Sequence, residues 1–188
     1  ERIAVVSLAT NDYYAKGAFV TLHSAGIHSG GGGADRLLLV PSTNQLSTTW
    51  RHRFEALQIK VVDVPDVPPS PAFLAAMTAE RKTLEGQGVL EILQPMPYGG
   101  AFAKVHAWNP ALGYEKVLLL DGDILIKRSL KPLLRLDPLS AGKDLNDAFN
   151  YGVVVLKPNA TIHAALVDLL MHATDDELKR YHTRKPSD

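Results

Sequence analysis

Lys116-Val117-Leu118-Leu119-Leu120-Asp121-Gly122-Asp123-Ile124-Leu125-Ile126 is an apolar run of buried-strand character that breaks at two carboxylates and then turns apolar again. Residues i and i+2 of an extended chain project to the same side, so Asp121 and Asp123 can present oxygens to one point. Two carboxylates in an apolar setting repel each other and lose hydration unless something compensates, such as a hard divalent cation. Mg²⁺ or Mn²⁺ suits such oxygen ligands and keeps positions open for substrate phosphates. The stretch therefore reads as a metal–diphosphate site at the end of a central strand. The plainer reading is a turn, with aspartates capping it and glycine supplying the permissive backbone. A haloacid-dehalogenase-type phosphatase also places two aspartates in this spacing, but near the start of its fold and followed by Gly and Thr. Here Ile124 and Leu125 follow, and more than a hundred residues precede.

Composition bounds the rest. The chain has 188 residues, 46% of them hydrophobic and 21% charged, which fits one globular domain over 1–188 with a sizeable core. Twenty basic residues balance twenty acidic ones, so no nucleic-acid or anionic-membrane surface is expected. Without cysteine there are neither disulfides nor thiolate metal sites, and the compartment stays open. No apolar run approaches the roughly 18 residues of a membrane span. Glu1 is not expected to be a natural start, which leaves room for an upstream leader or anchor. Asn159-Ala160-Thr161 matches a glycosylation acceptor, a tripeptide too common by chance to decide secretion.

Outward from the aspartates, apolar runs alternate with amphipathic stretches. Ile3 to Ala9, Arg36 to Val40, Ile59 to Val64 and Phe149 to Leu156 read as strands beside the Lys116 run. Thr10-Asn11-Asp12 reads as a helix N-cap region, with Tyr13 to Ile27 the helix. Helices are further expected over Asn44 to Leu57, Ala72 to Leu84 and Ile162 to His172, a short helix over Phe102 to Trp108, and a helical turn over Ser129 to Leu134. His28 to Asp35, with its four consecutive glycines, and the cluster Pro65, Pro68, Pro69 and Pro71 read as breaks. Strands separated by helices imply an α/β fold with a mainly parallel sheet covered on both faces. Ligands on such sheets sit at the carboxyl ends of the strands. Ala9-Thr10-Asn11 and Asp121-Gly122-Asp123 would share a rim if their strands are parallel neighbours.

Four stretches, in this order, resemble a known family. Leu8-Ala9-Thr10-Asn11-Asp12-Tyr13-Tyr14-Ala15-Lys16-Gly17-Ala18 resembles the nucleotide-binding segment of glycogenin-like glycosyltransferases of family 8. Phe102 to Trp108 resembles their short helix bearing a sugar-contacting lysine, Lys116 to Asp123 their strand ending in Asp-x-Asp, and Ala148 to Val155 their Phe-Asn-Ser-Gly-Val strand. The resemblance implies a GT-A (Rossmann-like) fold and retaining, metal-dependent transfer from a UDP-sugar, UDP-glucose being one candidate, to an acceptor hydroxyl.

Residue by residue, the resemblance assigns Tyr14 to stacking on the uracil. A flat ring covers a base face at little entropic cost. Leu8, Ala9, Thr10 and Asn11 would hold the nucleotide, and strand end plus N-cap is a compatible structural role. Lys104 would face the diphosphate or sugar and offset charge as UDP leaves. Asp121 and Asp123 would hold Mn²⁺ or Mg²⁺ as a Lewis acid for the leaving group, with Asp121 and Gly122 also beside the nucleotide. Asn150 would reach the donor sugar or the acceptor, and Gly152 would allow close backbone approach. His106 and Trp108 read as packing residues.

The chain also departs from the family pattern. Tyr151 stands in place of the usual serine. Pro95-Met96-Pro97-Tyr98-Gly99-Gly100 lacks the family's arginine, and the segment before Phe149 is short. The family's later histidine and lysine lie beyond Asp188, which itself lines up with an Asp-Gln aspartate. The expectation is thus a donor-binding half, C-terminally incomplete, with part of the metal and acceptor sites outside it. The acceptor stays open among glycan, protein and small molecule, a homodimer is a possibility the family suggests, and cytoplasm is favoured over the secretory lumen. The alternative is an inactive nucleotide-sugar-binding domain without turnover.

Overall fold

The computed structural model describes residues 1–29, 33–43, 46–76, 98–143 and 149–178. Six strands form one sheet: β1 (Ile3–Leu8), β2 (Ala34–Pro41), β3 (Ile59–Val64), β4 (Lys116–Leu120), β5 (Ser140–Lys143) and β6 (Phe149–Leu156), in the order β3-β2-β1-β4-β6-β5. The first four run parallel, whereas β6 runs antiparallel to β4 and β5 antiparallel to β6. β1 and β4 are parallel neighbours, with Ile3 opposite Lys116 and Val6 opposite Leu119. Carried two residues past Val6, that register sets Leu8 beside Asp121.

Three helices matter for the site: α1 (Asp12–His28), α2 (Thr48–Ala56) and α3 (Ala160–His172). Ala15, Ala18, Leu22 and Ala25 of α1 and Phe54 of α2 pack with Val5, Leu38, Leu118 and Leu120 on one face of the sheet. Small residues on α1 let its backbone come close to the strands. The opposite face joins Ala4, Val6, Leu37, Leu39, Val117 and Leu119 to Ala103 and Ala107 of a 3-10 helix, Phe102–Trp108. α3 braces that 3-10 helix, since Asn159 N–H donates to the Trp108 carbonyl at 2.8 Å. The alternation of β4 side chains between these two faces is the period-2 signature of a buried strand.

The expected elements form with shifted ends. α2 begins at Thr48, because Ser47 caps it by accepting from Trp50 N–H, and the helical turn expected from Ser129 is confined to Lys131–Leu134. Residues 71–76 are helical, while the rest of the helix expected to Leu84 lies outside the described residues, as do Gly30 to Gly32, Asn44, Pro95 to Pro97, Ala148 and Asp188. β5 was not anticipated: Ser140-Ala141-Gly142-Lys143 has neither β-branched nor aromatic residues, and it is a strand because β6 offers it an open edge. Its pairing slips between Ala141, opposite Val154, and Gly142, opposite Asn150, a bulge beside the Asp121 end of the sheet.

Candidate functional site

The carboxyl ends of β1 and β4 meet where the sheet's connections diverge, β1 leading outward to β2 on one side and β4 outward to β5 on the other. That is the switch point where open α/β sheets bind ligands. On the β1 side, Ala9 is buried and fixed by its N–H to the Leu39 carbonyl, 3.1 Å. Thr10 is half-buried in the turn that follows. The side chain of Asn11 accepts from Tyr13 N–H (2.9 Å) and Tyr14 N–H (3.2 Å) and so caps α1. Asp12 accepts from Ser47 N–H at 2.9 Å, which ties the start of α1 to the start of α2 and lowers the Asp12 carboxyl below the usual range. Tyr14 is half-buried, packed on the core and edge-on to Tyr13 at 5.3 Å, while Tyr13 is largely exposed.

On the β4 side, Asp121 is held by a neighbouring strand and from one face of the sheet. Its N–H donates to the Gly152 carbonyl of β6 at 2.9 Å. Its carboxylate forms an ion pair with Lys104, which the 3-10 helix brings in from the face opposite α1. Both side chains keep about a third of their surface open to solvent (31% and 32%). Asp123 is exposed at the far side of the turn. Asn150 folds back on its own strand, its Oδ1 accepting from Gly152 N–H at 2.7 Å. A Cβ on Gly152 would lie 2.8 Å from that oxygen and 3.3 Å from Asp121 Oδ2, so only glycine leaves room there for both polar groups.

The structure thus brings Leu8, Ala9, Lys104, Asp121, Gly122, Asp123 and Asn150 to one rim, with Thr10, Asn11 and Tyr14 at its β1 end. Asp121 and Asp123 offer hard oxygen donors, the chemistry that suits Mg²⁺ or Mn²⁺. Among the described residues, no group of three His, Asp or Glu side chains gathers around a point.

Two features went unread in the sequence. Gly17 of α1 presses backbone to backbone against Gly122, where a Cβ would lie 2.3 Å from the Gly122 carbonyl oxygen. The other is a histidine pair. His106, two residues after Lys104, is buried, and its Nε2 donates to the Pro65 carbonyl (2.9 Å). Its Nδ1 therefore accepts from His163 Nε2 of α3, 3.0 Å away. Burial holds both imidazoles below their ordinary pKa, and His106 pushes His163 down further. Packing was the expected role of His106, but a partner 57 residues away leaves no local signal in the sequence.

Comparison with known proteins agrees with this architecture. The chain covers 94% of itself on the galactosyltransferase LgtC solved with donor and acceptor sugar analogues, and 69% of that protein, with a TM-score of 0.56 at 18% identity. The glycosyltransferase GlyE of Streptococcus pneumoniae superposes over 99% of the chain and 41% of its own length, TM-score 0.55 at 18% identity. At such identities the likeness is one of fold, and the fold is that of the GT-A glycosyltransferases.

Sequence narrows the class. The chain is 30% identical to glycogenin-1 of Caenorhabditis elegans over 88% of its length, and 30% identical to human glycogenin-1 over 88%. With a GT-A fold, the chain is similar in sequence to the glycogenins over most of its own length. It spans 34% and 42% of those two relatives' lengths. No family model matches it.

Proposed function

We infer that this chain forms the donor-binding half of a nucleotide-sugar glycosyltransferase that moves a sugar from a UDP-sugar to an acceptor hydroxyl. The single observation that carries the reading is the Lys104–Asp121 ion pair, on one rim with the Asn11-capped start of α1. That arrangement sets a cation and a carboxylate beside backbone N–H groups, the equipment for a diphosphate.

Asp121 and Asp123 would hold Mn²⁺ or Mg²⁺, which when bound supplies Lewis-acid stabilisation of the leaving diphosphate. Lys104 would contribute a second positive charge from the 3-10 helix, offsetting the charge that grows on UDP as the donor's glycosidic bond breaks. Tyr14 offers a ring face to the uracil, with Leu8, Ala9, Thr10 and Asn11 around it. Asn150 carries an amide toward the sugar or acceptor once it leaves Gly152 N–H. Retention of configuration and a UDP-glucose donor rest on the family resemblance. The acceptor class and self-association belong to the same reading, and the compartment proposed is the cytoplasm.

Titration calorimetry with UDP tests the reading, in Mn²⁺ and then in EDTA, on the wild type and Asp123→Ala. The expected result is Mn²⁺-dependent UDP binding that the substitution abolishes. Equal affinity with and without Mn²⁺, unchanged in Asp123→Ala, overturns the assignment of the aspartates. The binding-only alternative is favoured by Pro95-Met96-Pro97-Tyr98-Gly99-Gly100, which lacks the family's arginine. Under that reading UDP binds but no sugar reaches any acceptor.

A further inference from the structure

We propose that Thr21 is a positioning residue for the cation site, holding the Asp121-Gly122-Asp123 turn at the spacing its carboxylates need. The inference rests on the donor-site reading above and extends it to a residue that touches neither nucleotide nor metal.

Thr21 lies in the third turn of α1 and is fully buried. Its hydroxyl has one proton to give and two carbonyls within reach, Ile124 O at 2.7 Å and Asp121 O at 3.2 Å. Those two carbonyls bracket the turn, one on the first aspartate and one just past the second. A single side chain on a helix therefore spans the backbone that carries both carboxylates. One turn further along α1, the buried Ser24 hydroxyl accepts from Ile126 N–H at 3.1 Å and donates to the Thr21 carbonyl at 3.0 Å. On the other side of Thr21, the Gly17–Gly122 approach closes the gap between helix and turn, with Ala18 packed over Gly122. Gly17, Thr21 and Ser24 sit at spacings of four and three, one stripe of the helix, and all three meet the segment 121–126.

A threonine inside a helix ordinarily gains little, since its hydroxyl competes for the helix's own carbonyls. Here that hydroxyl is spent on a segment about a hundred residues away. Buried carbonyls left without a donor are costly, so removing this hydroxyl lets the turn seek water and moves the aspartates with it. A bound cation is sensitive to such motion, because outer-shell partners that orient metal ligands typically carry 10–100-fold in metal affinity. Stacking of the base against Tyr14 depends on the other end of α1 and should not feel it.

The test uses Thr21→Val, which keeps the shape and removes the hydroxyl, Thr21→Ser, which restores it, and Ser24→Ala as an independent release of the same segment. Mn²⁺ binding is measured in saturating UDP, and uridine binding separately in EDTA. Expected are a loss of about tenfold or more in Mn²⁺ affinity for Thr21→Val, recovery in Thr21→Ser, a smaller loss in Ser24→Ala, and an unchanged uridine affinity throughout. Wild-type Mn²⁺ affinity in Thr21→Val overturns the proposal and leaves the donor-site reading standing. Parallel loss of uridine and Mn²⁺ binding, or an unfolded Thr21→Val together with an unaffected Ser24→Ala, makes Thr21 a general packing residue and overturns it as well. A wild type that binds no Mn²⁺ in the presence of UDP removes the donor-site reading itself, and this inference with it.

Discussion

Alanine at Gly17 tests the closest contact in the site. In an ordinary helix interior that change stabilises by about 1 kcal/mol, because glycine carries the larger entropic cost. At Gly17 the new Cβ would stand 2.3 Å from the Gly122 carbonyl oxygen and 3.2 Å from its carbon, where ordinary contact begins at 3.4 Å. α1 and the turn would have to separate by 1.1 Å (3.4 − 2.3). Both partners are backbone, so no rotamer change relieves the clash, and the upper part of the overpacking range applies, about 2–3 kcal/mol. Set against the helix gain, the net loss is about 1–2 kcal/mol. At roughly 2–4 °C per kcal/mol for a chain of this size, the melting temperature should fall by roughly 2–8 °C in a circular-dichroism melt. Gly26→Ala is the control, since its Cβ also meets an atom at 2.3 Å, but that atom is the end of the Arg36 side chain, which can move aside. The refuting result is a Gly17→Ala melting temperature equal to or above the wild type. It would mean that α1 does not rest on the turn backbone to backbone, and the case for Thr21 would weaken with it.

Two further predictions follow from buried polar groups. Folding depresses the His106 and His163 pKa values, so the unfolded chain binds more protons once pH drops below about 6.5. Stability is therefore fully present above that pH and declines as pH falls from about 6.5 toward 5, before the carboxylates titrate. His163→Gln should flatten the plot of melting temperature against pH in that window, and a slope identical to the wild type would refute the pair's role. Ser7 of β1 is fully buried, and its hydroxyl has no hydrogen-bond partner among the described residues. Ser7→Ala should be neutral or stabilising by up to about 1 kcal/mol in urea unfolding, whereas a loss beyond that would reveal a partner for the hydroxyl.

The strands and the rim were legible in the sequence because their signals are local. A four-residue apolar run stopped by Asp121, and an Asn ahead of an amphipathic stretch, announce a strand end and a helix cap without any knowledge of neighbours. Their adjacency followed from one topological condition, that β1 and β4 be parallel neighbours, which the register satisfies. β5 was invisible for the converse reason: nothing in Ser140-Ala141-Gly142-Lys143 prefers a strand, and only the open edge of β6 makes it one. The Thr21 bridge and the His106–His163 pair were equally unreadable. Each joins residues far apart in the chain, through atoms whose local context suits an ordinary helix. The sequence named the groups suited to the chemistry and left unnamed those that hold them in place.

The pairing of β1 with β4 also governs when the site can exist. Ile3 sits opposite Lys116, so the two halves of the rim are separated by 113 residues of chain (116 − 3). At about 5–20 residues per second, a ribosome needs roughly 6–23 s to make that interval. Until then β1 can pair with β2 on one side only, and its other edge stays open beside Val5 and Val6. Long-range pairing of this kind slows folding and leaves an apolar edge free to find the wrong partner. The architecture that places a carboxylate turn next to a helix cap therefore leaves one edge of its first strand unpaired until the fourth strand has been made.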